Sequence, residues 1–166
     1  MKSTDDVGNQ ACDKTIFHEL EHSFTLETPL SDVWEFLWNT ERVARCIPGC
    51  NQVSVIQDNR QYAAQVTKKM GPFAVAICLE IDVIEVRPPH FLTVSIRGLD
   101  HRLRSEVTQV ISLQLSSAGE STQIDIRGKF SITGLLGHLS KNLIVGQVSQ
   151  VLDEFSDSLR QAILYR

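Results

Sequence analysis

The sequence predicts an α+β chain. A strongly bent, seven-stranded antiparallel sheet wraps around one long C-terminal helix, and two short helices follow the first strand. Three observations predict it. Apolar and polar residues alternate through seven segments, as in half-buried strands. Turn residues separate those segments at hairpin spacing. From about residue 134 the apolar period lengthens from two to between three and four, as in a helix.

Residues 16–26, IFHELEHSFTL, put Ile16, His18, Leu20, His22, Phe24 and Leu26 on one face. Glu19, Glu21, Ser23 and Thr25 fall on the other, so this is a strand with one wet face. Pro29 and Ser31-Asp32 then start a helix, with Ser31 as the expected N-cap and Asp32 and Glu35 in its first turn. Val33 and Leu37 share a face of this helix, beside Trp34 and Trp38. A second short helix over about residues 40–46 runs into Pro48-Gly49.

Strands follow over 52–57, 61–70, 73–86, 91–98, 102–115 and 122–132. Val75, Ile77, Leu79, Ile81 and Val83 share one face of the longest, which Pro88-Pro89 ends. Turns are expected around Leu99-Asp100-His101 and in SSAGES. Leu136, Leu139, Leu143, Ile144, Val148, Val151, Leu152, Phe155, Leu159 and Ile163 then form the stripe of a helix of about 30 residues. Gly134, Gly137 and Gly146 weaken it near its start and allow close packing or a kink.

The 166 residues are one domain's worth, 42% hydrophobic and 22% charged. The expected division is a polar tail over 1–15 and one ligand-binding domain over 16–166. The net charge of −4 argues against a nucleic-acid binder. No run approaches the ~20 apolar residues of a membrane span, and MKSTDDVGNQACDK has no apolar signal-peptide segment. A cytoplasmic protein with reduced cysteines is expected.

Cys46 and Cys50 flank Ile-Pro-Gly. Pro48 pushes Ile47 out of the helical region, and Pro-Gly signals a type II turn. The plain reading is a corner with two small buried hydrophobes. Zinc needs three or four ligands, and no second pair stands at ligand spacing. Redox motifs usually place two residues between cysteines, not three. The other open reading puts the turn on a pocket rim or partner surface.

A curved sheet against a helix often packs incompletely, leaving an apolar cavity. The candidate wall is His22 and Phe24 from the first strand, and Trp34, Leu37 and Trp38 from the first helix. Ile47, Phe73 and Leu79 follow, then Val94, Ile96, Val107 and Gln109. Phe130, Leu136, Leu139 and Leu143 complete it. Arg97, Arg102, Arg104 and Arg127, with Lys129 nearby, could form a positive stripe for an acidic partner or anionic lipid head groups. The plainer alternative is a solvated outer face, partly neutralised by Glu106 and Asp125. His18 and His22, about 13 Å apart on one strand, cannot share a metal ion unaided. No G-x-S-x-G, H-E-x-x-H or P-loop is present. No catalytic or metal residues are therefore nominated.

PLSDVWEFLWNTERVARCIPGC resembles the N-terminal signature of the carbon monoxide dehydrogenase CoxG family. The matching positions are Pro29, Val33-Trp34, Leu37 and Val43 through Cys50. GPF at 71–73 and ITGLLGHLSKNLI at 132–144 also look like family positions, and the similarity covers about residues 20–164. His22 and Ser140 depart from it, standing where a small residue and a glycine are common.

The resemblance implies a helix-grip fold, related to START, Bet v 1 and polyketide cyclase proteins. It implies a non-catalytic accessory protein of a molybdenum hydroxylase of the carbon monoxide dehydrogenase type, peripheral to the membrane. Such a protein would hold a lipid or isoprenoid quinone, without a covalent cofactor, and aid membrane recruitment or electron transfer. Some members attach by a hydrophobic tail; residues 1–166 contain none, so tail anchoring is not expected. Two alternatives stand beside this. One is a cyclase- or hydratase-like enzyme using His22, Gln109 and Tyr62 if these converge. The other is an assembly factor with a filled core.

Overall fold

The structure is a computed structural model that describes residues 16–165. The tail expected over residues 1–15, with Cys12, lies outside the described residues. Strand β1 (Phe17–Leu26) is followed by helices α1 (Leu30–Leu37) and α2 (Thr40–Cys46). Six strands come next: β2 (Cys50–Gln57), β3 (Gln61–Met70), β4 (Phe73–Arg87), β5 (Phe91–Asp100), β6 (Ser105–Ala118) and β7 (Ser121–Thr133). A short 3-10 helix, Leu135–His138, leads into α3 (Lys141–Leu164).

The sheet is antiparallel, in the order β1-β7-β6-β5-β4-β3-β2. Its edges, β1 and β2, would stand about 29 Å apart if it were flat, at ~4.8 Å per strand. Yet α3 packs on β1, while α2 packs on both β2 and α3. The sheet therefore bends until both edges meet one helical layer. Paired residues share a face, so the inner face runs through rows such as Tyr62–Ile81–Ile96–Gln109–Phe130–His18.

Three local expectations change. Helix α1 begins at Leu30 behind Pro29, which makes no side-chain cap; Ser31 already lies inside the helix. The long helix starts at Lys141 rather than near 134, and has 24 residues. Gly134, at φ +75°, enters the 3-10 helix instead, and extended Leu139 (ψ 151°) and Ser140 (ψ 146°) break the helical path before Lys141. Ser140 then caps α3 by accepting from the Leu143 N–H at 3.2 Å. The β5–β6 turn occupies residues 101–104, so Arg102 is a turn residue and not the start of a strand.

Asp100 explains that turn. It is 3% exposed, and its carboxylate accepts from the Leu103 N–H at 3.0 Å and the Ala76 N–H at 2.8 Å. Burial pushes the carboxyl up, but the Leu103, Ala76 and Arg102 amides and the Arg102 charge outweigh it, holding it below its ordinary value. A depressed carboxyl stabilises the fold fully above its unfolded value of about 3.9. That contribution is lost as pH falls through the lower folded value. Asp100→Asn should flatten this part of the acid dependence in urea unfolding between about pH 6 and pH 3. Equal slopes in both proteins would contradict the assignment.

Candidate functional site

The inner face divides into two ends. At one end β1, β7 and β6 close on α1, α2 and α3. Leu26, Val33, Leu115, Ile124 and Leu159 are fully buried there, with Phe24, Phe36 and Ile163 in the same core. Toward β3, β4 and β5 the inward side chains remain largely apolar, but most are only half-buried. Ala64, Val66, Ile77, Leu79, Ile81, Val94, Ile96 and Val107 form this surface. It is an apolar wall without the packed layer that covers the other end.

The nominated wall residues divide in the same way. Phe24, Phe130 and Leu136 are buried, the first two in the packed core, where Trp34, Leu37 and Leu139 pack against them. Leu79, Val94, Ile96, Val107 and Gln109 lie on the half-buried wall. Trp38 ends α1 and meets Trp34 edge-on at 5.9 Å. Phe73 opens β4 at the β3–β4 hairpin. A Cβ on Gly71 in that hairpin would lie 3.2 Å from Leu143 Cδ2, so the hairpin abuts the first turn of α3.

His22 points to α3. Its Nε2 lies 3.3 Å from Ser156 Oγ, and its Nδ1 lies 3.9 Å from an Asp153 carboxylate oxygen. Gln109 is two strands and two rows away, about 10 Å sideways and 13 Å along the sheet. Tyr62 shares a row with Gln109, but Ile81 and Ile96 stand between them. This arrangement does not gather the three at one point.

Cys46 and Cys50 turn the corner. The Cys50 N–H donates to the Ile47 carbonyl at 3.1 Å, with Ile47 extended and Gly49 at φ +79°, a type II geometry. Cys46 is buried and donates to the Arg42 carbonyl at 3.4 Å. Burial pushes both thiols up, against the nearby Arg42 charge for Cys46 and the Gln52 backbone bond for Cys50. Protonated thiols are poor nucleophiles and poor metal ligands. Among the described residues, no three His, Cys, Asp or Glu side chains gather to hold a metal.

The arginines lie outside the wall. Arg97 and Arg127 are on the outer face, with Lys129. They line a trough of about 870 Å³ around half-exposed Val110. Arg97 pairs with Glu106 at 2.7 Å, Arg127 with Glu21 at 3.6 Å, and Lys129 with Glu19 at 3.9 Å. Arg102 and Arg104 sit in the β5–β6 turn, where Arg102 donates to the Ala74 carbonyl. Acids thus alternate with the outer-face cations.

Sequence reasoning passed over Lys68 and Gln147. Both bury a polar atom that has no hydrogen-bond partner among the described residues: Lys68 Nζ and Gln147 Oε1. Period two already placed Lys68 inward, on the face of Tyr62, Ala64 and Val66, and that was the available signal.

Among the described residues no helix is long and apolar enough to cross a membrane. The structure is similar to that of a conserved protein from Geobacillus kaustophilus, with TM-score 0.82 and 17% identity over 89% of this chain and 96% of that one. It is also similar to a START superfamily protein from Mycobacterium smegmatis, with TM-score 0.66 and 8% identity over 89% and 98%. For the Zhui aromatase/cyclase from Streptomyces sp. R1128 the values are 0.59 and 16%, over 90% and 92%. These likenesses establish the helix-grip fold. No curated protein matches the sequence. The family model for carbon monoxide dehydrogenase CoxG matches residues 23–164. With the corner at Cys46–Cys50, the capped long helix and all of the bent sheet but the start of β1 inside that match, the chain belongs to the carbon monoxide dehydrogenase CoxG family.

Proposed function

We propose that this chain binds an apolar small molecule, a lipid or an isoprenoid quinone, on the half-buried wall between β3–β5 and α3. The observation that carries this reading is the division of the inner face: one end is packed, while the other presents apolar side chains left half-uncovered. Burial of such surface by a ligand is favourable at about 25 cal/mol per Å². The wall offers few titratable groups, which suits binding rather than acid–base chemistry.

Family membership supports the further reading of an accessory protein for a molybdenum hydroxylase of the carbon monoxide dehydrogenase type. In that role it would work at the membrane surface, aiding recruitment or electron transfer to quinone. A soluble redox enzyme needs some carrier to reach an apolar acceptor.

Native mass spectrometry of the purified protein, followed by organic extraction, tests the binding step. The expected result is a discrete lipid- or quinone-sized mass that leaves on denaturation, or uptake of added quinone or lipid by the empty protein. A protein that is empty and takes up neither overturns it.

A further inference from the structure

The inner wall is largely apolar, and Lys68 brings an amine into it. A surface lysine lays its stem on apolar groups and keeps its ammonium in water. Lys68 does not: its Nζ is shielded from solvent and has no partner among the described residues. A buried ammonium without a counter-ion is strongly unfavourable. Asp100, the buried carboxylate of β5, cannot serve, because it is committed to the Ala76 and Leu103 amides.

Helix α3 carries the second orphan. Gly71, three residues beyond Lys68, lies against Leu143 on α3. Gln147 is one helical turn on from Leu143 and shares its face. Its Oε1 is also buried without a partner. A buried amine and a buried amide oxygen, each without a hydrogen-bond partner among the described residues, therefore lie on the strand and the helix that meet where Gly71 approaches Leu143.

We propose that Lys68 and Gln147 form the polar end of the binding site and select an amphiphile with an anionic head group. The head group's carboxylate or phosphate oxygen accepts from Lys68 Nζ. A hydroxyl beside it donates to Gln147 Oε1, and the apolar chain lies along Ile77, Leu79 and Ile96. This rests on the binding function proposed above and narrows it from a lipid or an isoprenoid quinone to an acidic lipid.

The test is calorimetric titration of the protein with laurate, 2-hydroxylaurate, dodecyl phosphate and methyl laurate. Wild type should bind at least one anion about tenfold or more tighter than the neutral ester, and whichever anion binds best identifies the head group. Lys68→Met should bind the ester as wild type does and lose the preference, whereas Lys68→Arg should keep much of it. Gln147→Leu should remove only the advantage of the 2-hydroxy acid over laurate. Lys68→Met should melt no lower than wild type, since it removes an unneutralised buried charge. If the wild type binds the ester as tightly as the anions, or Lys68→Met retains the preference, the inference fails while binding itself stands. If none of these probes nor a neutral quinone binds, the binding function fails and this inference with it.

Discussion

Leu159→Ala is expected to lower the unfolding free energy by about 3–4 kcal/mol. Leu159 is 0% exposed and belongs to the core shared by β1, β7, β6, α1 and α3. Truncation there loses the transfer energy of the removed carbons and leaves a cavity that packed neighbours fill poorly. Leu79→Ala, on the same face but at the other end, should cost only about 1 kcal/mol, because its side chain is already half-uncovered. Urea unfolding of both variants checks the pair. Comparable losses would mean that the wall is a packed core, and the binding proposal would lose its physical basis. Added ligand should widen the gap between wild type and Leu79→Ala, since only the wall residue touches it.

Gly134→Ala is the second large effect, with an expected loss of about 3 kcal/mol or more. Gly134 has φ +75° and ψ −154°, a region that side chains avoid. A Cβ there would also run into the carbonyl of Arg104. The position hooks the 3-10 helix to the β5–β6 turn, and beside it the Leu136 N–H donates at 3.0 Å to the Oγ of Ser105, the first residue of β6. Losing the hook frees the start of α3, so ligand affinity should fall along with stability. Gly146→Ala is the control. Gly146 lies inside α3 with nothing within 4 Å of a built Cβ, so alanine should stabilise by about 0.5–1 kcal/mol. Thermal melts of the two variants should shift in opposite directions.

Most of the architecture was legible because strands and helices of this chain obey their own periods. Of the inward set, His18, Leu20, His22, Phe24 and Leu26 are buried or half-buried and their outward neighbours exposed, while Ile16 precedes the strand and is exposed. Helix α2 and the Pro48-Gly49 corner sit where the turn chemistry put them. The start of α3 was not legible. Leu136, Leu139 and Leu143 keep the helical spacing across Leu139–Ser140, and only the extended backbone there shows the break. Spacing likewise favoured Ser31 as a cap, but the chain enters α1 at Leu30.

The site was harder to read. Apolar periodicity names inward residues but cannot say which of them another element covers. Phe24 and Leu79 look alike in sequence, yet one is in the core and the other on the open wall. Lys68 sits in QVTKKM, where a lysine looks like ordinary strand solubility; its buried ammonium is visible only in three dimensions.

The packed end also sets the order in which this chain can fold. Residues 17–26 pair with 122–131, so the strand made early must wait for one made about a hundred residues later. The core they share is finished only when Leu159 arrives. The hairpins of β2 through β5 need only near neighbours and can form first. During synthesis the apolar wall is therefore built before anything can cover it. Until the final helix docks, this half-made sheet is the species most exposed to aggregation and most in need of chaperones.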